Sequence, residues 1–103
     1  AGTAFAGSLH ALASLAGWAL LYQLLARNGL SAELVLADSR IRYAAPYHGD
    51  LIAIAQLPDA RRERLLQRLR SGRSAPVQLE IALPPSENPA AEFTGTYFAS
   101  PRR

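Results

Sequence analysis

The sequence predicts an α+β fold in which one long apolar helix is wrapped by a curved antiparallel sheet. Three observations carry that expectation. No charged side chain occurs between Ala1 and Ala26, so the opening helix has no charged face to give to solvent. Later segments alternate apolar and polar residues with a period of two, a pattern that requires one face to be covered. A chain of 103 residues is expected to form one domain, 1–103, and the opening helix is the element large enough to cover those faces.

From Phe5 to about Asn28 the run is rich in Ala and Leu and free of Pro, with Arg27 in its last turn and a stop at Asn28-Gly29. About 20 apolar residues also suffice to span a bilayer. Ser8, His10, Ser14 and Gln23 interrupt the run, however, and Arg27 is the lone charge near its end. The strands that follow need a cover, which favours a helix buried on nearly all sides. Thr3, Gly7, His10, Ser14 and Gly17 are spaced by four and three and share one stripe. That stripe permits close backbone approach, lines a narrow polar channel, or simply fits the sheet.

Glu33 to Ala45 reads as a long strand ended by Pro46, with Val35, Ala37, Ser39, Ile41 and Tyr43 on one face and Asp38, Arg40 and Arg42 on the other. Tyr47-His48-Gly49-Asp50 is a turn, and Leu51 to Gln56 a short apolar strand. Pro58 and Asp59 open a second helix that Gly72 closes after Ser71. Pro76 to Leu83 alternates Val77, Leu79, Ile81 and Leu83 against Gln78 and Glu80. The Pro-rich segment from Pro84 to Pro89 is a loop. Ala91 to Ala99 sets Phe93 and Tyr97 against Glu92, Thr94 and Thr96, and Ser100 to Arg103 is a basic tail.

Cysteine is absent, which excludes disulfides, thiolate metal sites and a cysteine nucleophile. The net charge is +3, and all eleven basic residues are arginine. Arginine forks suit phosphates and carboxylates, although the absence of lysine also fits a simple base-composition bias. Ala1 opens directly on the helix with no basic stretch ahead of it. That arrangement fits a preceding segment better than a signal peptide.

Gly2-Thr3-Ala4-Phe5-Ala6-Gly7-Ser8-Leu9, Ala16-Gly17-Trp18, and Ala37-Asp38-Ser39-Arg40-Ile41-Arg42-Tyr43 with Pro46 and Gly49-Asp50 resemble the hot-dog-fold thioesterase domain. In some bacteria that domain follows an acetyltransferase-like domain. The resemblance covers nearly the whole chain and implies a central helix in a curved sheet, with at least one strand ahead of the helix. It implies a cytoplasmic homodimer or dimer of dimers whose acyl-thioester sites lie at the subunit interface. The implied partners are acyl-CoA or acyl carrier protein. Coenzyme A or phosphopantetheine enters as part of the substrate, with no metal, nucleic acid or membrane.

In such thioesterases, backbone N–H groups at the start of the central helix polarise the thioester carbonyl, as the unpaired donors and helix dipole allow. The matching positions are Ala6 and Gly7, with Ser8 beside them. Thr3 caps the helix or bonds the substrate. The family's His-Gly-Gly entry is here Phe5-Ala6-Gly7, and Ser14 stands where a water-activating carboxylate would fall. His10 either orients Ser14 or is a satisfied core residue. Phe5, His10, Asp38, Arg40 and Arg42 are the candidate substrate contacts, although an ion pair is the simpler role for Asp38. Arg61, Arg62, Arg64, Arg68 and Arg70 on the second helix, with Arg73 beyond, form a solvated face or a dock for coenzyme A phosphates or acidic carrier protein. Interleaved aromatics are lacking, which argues against nucleic acid. Three functions follow as alternatives: thioester hydrolysis, decarboxylation of a malonyl thioester, and non-catalytic binding or dimerisation.

Overall fold

The computed structural model describes residues 2–45 and 52–102, with the backbone alone for 2–6. The element order is α1 (Gly2–Arg27), β1 (Ala32–Tyr43), α2 (Asp59–Arg70), β2 (Ala75–Leu83) and β3 (Ala91–Pro101). The three strands form one antiparallel sheet in the order β1-β3-β2. Both helices pack on the same face of it. Leu21 and Leu25 of α1 meet Leu65, Leu66 and Leu69 of α2 over Val77, Leu79 and Tyr97. Nearer the start of α1, Leu9 and Ala13 cover Ile81, Leu83, Ala91 and Phe93.

Glycine stops both helices as the sequence predicts. Gly29 and Gly72 take φ values of 65° and 76°, the left-handed region that a side chain resists. At the end of α1, Leu30 N–H bonds Leu25 O at 2.9 Å and Gly29 N–H bonds Ala26 O at 3.2 Å. At the end of α2, Arg73 N–H bonds Arg68 O at 2.9 Å and Gly72 N–H bonds Leu69 O at 3.0 Å. These paired bonds are Schellman closures, which satisfy the last carbonyls of each helix. Arg70 then donates to Asn28 Oδ1 at 3.1 Å, tying the two closures together.

Three expectations are corrected. The helix is not buried on nearly all sides. Its buried stripe is Leu9, Ala13, Gly17, Leu21 and Leu25 at a spacing of four, while Leu15 is 62% exposed, Trp18 41% and Tyr22 56%. Gly7–Arg27 is long and apolar enough to cross a membrane by length and composition, yet here its buried stripe covers the sheet.

The second correction concerns β1. Its register against β3 shifts between Leu36 and Asp38, leaving Ala37 as an extra residue. A bulge of one residue reverses the in-out parity of everything beyond it. Ala32, Leu34 and Leu36 are therefore partly covered before the bulge, and Ser39 and Ile41 after it. Val35 and Ala37 are exposed, contrary to their expected place beside Ser39.

The third is the segment from Leu51 to Gln56. Residue 51 lies outside the described residues, as does the turn expected at residues 47–50. From Ile52 to Leu57 burial alternates, with Ala53 and Ala55 packed on one cluster and Leu57 on the other. No strand is formed there. The segment 52–57 thus has the burial pattern of a strand without a place in the ladder.

Candidate active site

α1 carries no acidic residue in its first turn, so no side-chain carboxylate of that turn competes for the positive end of its dipole. Thr3, Phe5 and Ala6 lie in helical backbone, and their side chains fall outside the described residues. Gly7 is exposed, and a Cβ built there meets nothing within 4 Å. Space is open beside the Gly7 Cα, but α1 already begins at Gly2, so the N–H groups of Ala6 and Gly7 lie within the helical ladder and not among its unpaired donors, contrary to the expectation for these two positions. Ser8, next along, is also exposed.

One turn further, the expected polar stripe divides between partners. His10 Nε2 lies 2.9 Å from Ser39 Oγ, a bond that crosses from α1 to β1. The imidazole also meets the edge of Phe93, with ring centroids 5.5 Å apart at 69°. Ser14 Oγ donates to Ala11 O at 3.1 Å, within its own helix. His10 therefore does not orient Ser14: its ring is committed to the sheet, and the hydroxyl to the previous turn. A serine bonded to its own helix backbone has no base to take its proton.

Tyr97 completes the region. From β3 its hydroxyl donates to Ser14 O at 2.6 Å, and burial pushes its pKa up to about 12. Gly17 makes room for it, since a Cβ there would lie 2.8 Å from Tyr97 Cζ and closer still to the hydroxyl. The sequence marked Gly17 as a small residue and Tyr97 as inward-facing. The signal that joins them is chemical: a buried tyrosine hydroxyl needs a partner.

Asp38, Arg40 and Arg42 occupy the outer face of β1, all exposed, with the sheet between them and the helix. Arg42 bonds Glu92 at 3.0 Å, its direct neighbour across the β1-β3 register. Asp38 stands opposite Thr96 and Arg40 opposite Thr94. The structure thus pairs His10 with Ser39 and the Ser14 carbonyl with Tyr97, and sets the three charged residues apart. Among the described residues no cluster of His, Asp and Glu could hold a metal ion.

A long helix laid on an open antiparallel sheet defines a thioesterase-like hot-dog domain. The comparisons with known proteins agree. The family model described as "Putative thioesterase (yiiD_Cterm)" matches residues 1–101, and the chain belongs to that family. A solved structure of a "putative thioesterase" from Shewanella oneidensis is similar at 32% identity and a TM-score of 0.81, over 93% of this chain and 64% of its own. A protein of unknown function from Chlorobaculum tepidum TLS is similar at 27% identity and the same TM-score, over 95% of this chain and 66% of its own. The chain therefore spans slightly under two thirds of the length of each.

Proposed function

We propose that this domain belongs to a cytoplasmic enzyme that hydrolyses acyl thioesters of coenzyme A or acyl carrier protein. The observation that carries the reading is the match of residues 1–101 to a thioesterase family, with open space beside Gly7 near the start of the central helix. The donors for a thioester carbonyl would be the unbonded N–H groups of the first turn of α1, which starts at Gly2, and the helix dipole would add to their pull. Thr3, Ala6 and Ser8 flank that position, and the acyl chain runs beside the helix past Phe5 and His10.

The site is completed by a second copy of the chain. Support comes from the outer edge of β1, beside which no further strand lies among the described residues, and from the exposed helix side of Leu15, Trp18 and Tyr22. Trp18 and Tyr22 stack there with centroids 5.0 Å apart at 14°, an aromatic surface of the kind that associating proteins cover. On the outer face, Asp38 of one copy would meet Arg40 of the other across the two-fold.

A specific observation also favours decarboxylation of a malonyl thioester. Every described carboxylate is exposed, and Glu33, Asp38, Glu80 and Glu92 sit on the strands' outward side. That reaction needs an enolate held by backbone donors but no base to activate water. The test supplies acyl and malonyl thioesters to the full-length protein and follows free thiol and CO2 together. Thiol release identifies hydrolysis, and CO2 with the thioester intact identifies decarboxylation. Silence on both with retained ligand binding leaves a binding module.

A further inference from the structure

We infer that the groove between α2 and the free edge of β2 holds the phosphate-bearing nucleotide end of a coenzyme A thioester. The inference rests on the thioester reading above and names the carrier. The groove has a volume of about 410 Å³ and is lined by Arg61, Arg64 and Arg68 over a floor of Leu65, Pro76 and Val77. That volume falls among small-ligand sites, which combine an apolar floor with a few placed polar groups.

Two of the three guanidinium groups are already held in position. Arg68 donates through Nε and Nη2 to Ser74 O, at 3.0 and 2.8 Å. Arg61 donates to Gln78 O at 3.0 Å, with Glu80 Oε1 3.6 Å from its other nitrogen. These bonds cover the open edge of β2, yet each leaves N–H groups of the fork unused. Arg64, between them on the helix, is exposed, and no hydrogen bond or ion pair engages it among the described residues. Spacing of three and four residues places the cations in a file about 10 Å long on one helix face. A file of planar forks matches separated phosphates, and fixed forks lose little freedom on binding.

Elsewhere on α2 the arginines have other partners. Arg62 pairs with Asp59 at 3.1 Å and lies 3.7 Å from Glu63, and Arg70 is spent on Asn28. Three guanidinium groups thus line the groove, and Glu80, 3.6 Å from Arg61, is the carboxylate paired with them among the described residues. A broad acidic protein surface would find a mixed face, whereas a compact polyanion finds a concave one. Gln78 and Leu83 are five residues apart on β2, roughly 17 Å, and Leu83 shares a cluster with Leu9 near the helix start. An extended pantetheine chain can bridge a gap of that order.

The test uses adenosine 3′,5′-bisphosphate as probe on the full-length protein by calorimetry, with Arg64→Glu as the variant. Arg64 makes no hydrogen bond or ion pair among the described residues, and unchanged circular dichroism and Tm confirm that the variant is folded. Binding of the probe, weakened about tenfold or more by Arg64→Glu, is the expected result. With a turned-over thioester, the variant should raise KM for acyl-CoA by a similar factor at unchanged kcat, and leave the acyl-pantetheine analogue unaffected. The inference is overturned if the probe does not bind, or binds both proteins alike. It is equally overturned if Arg64→Glu weakens only the complex with acidic acyl carrier protein. Arg64-dependent probe binding without turnover of any thioester removes the enzyme reading and leaves the groove assigned.

Discussion

The Tyr97 hydroxyl donates a hydrogen bond to the Ser14 carbonyl of α1, and Gly17 leaves the space for it. Tyr97→Phe deletes that bond and should cost about 0.5–1.5 kcal/mol in chemical denaturation. Gly17→Ala gains about 1 kcal/mol of helix propensity but drives a methyl group into the tyrosine ring, a clash worth about 1–3 kcal/mol. The net effect should be a lower Tm, against the usual direction for this exchange in a helix. Burial sets the pH dependence. A phenol raised from 10.0 to about 12 keeps its proton longer in the folded state than in the unfolded one. Stability is therefore flat with respect to this group below pH 10 and falls as pH rises from 10 towards 12, by at most about 1.4 kcal/mol per pH unit. Denaturation midpoints measured along that range should separate the native protein from Tyr97→Phe, whose curve lacks this loss.

The elements were legible to different degrees, and the reasons are physical. Both helix ends follow from glycine placement, because Gly29 and Gly72 are needed at positive φ. β2 alternates without interruption, so its faces read directly. β1 looks equally regular in sequence, yet its bulge at Ala37 reverses the pattern halfway. Nothing local marks that bulge, since Ala37 is neither Gly nor Asn, and the partner strand decides the register. Residues 52–57 show the converse: strand-like alternation fixes burial but not pairing. At the candidate site, the sequence found the small residues of α1 but not where their neighbours point. His10 faces Ser39 because the bulge turns Ser39 inward. Replacing each partner, His10→Phe and Ser39→Ala, and then both should reveal a coupling of about 0.5–1.5 kcal/mol in a double-mutant cycle.

For the molecule as a whole, stability and activity should separate at Gly7. Gly7→Ala meets no neighbour and should stabilise the helix by about 0.5–1 kcal/mol. It would also fill the open space beside α1 close to its first turn, so thioester turnover should fall while Tm rises. Association should answer to the other side of the same helix. Charging it with Leu15→Glu and Trp18→Glu, both at exposed positions, should leave a folded monomer in sedimentation experiments if a second copy covers that side. The bond from Tyr97 to Ser14 O has a bearing on both. A smooth apolar helix on an apolar sheet has many nearly equal resting places, and van der Waals contact alone distinguishes them weakly. One hydroxyl bound to one carbonyl removes that freedom and acts as a ruler. Ser14 is seven residues from Gly7, about 10 Å along the axis, so the helix mouth is positioned from a point well outside it.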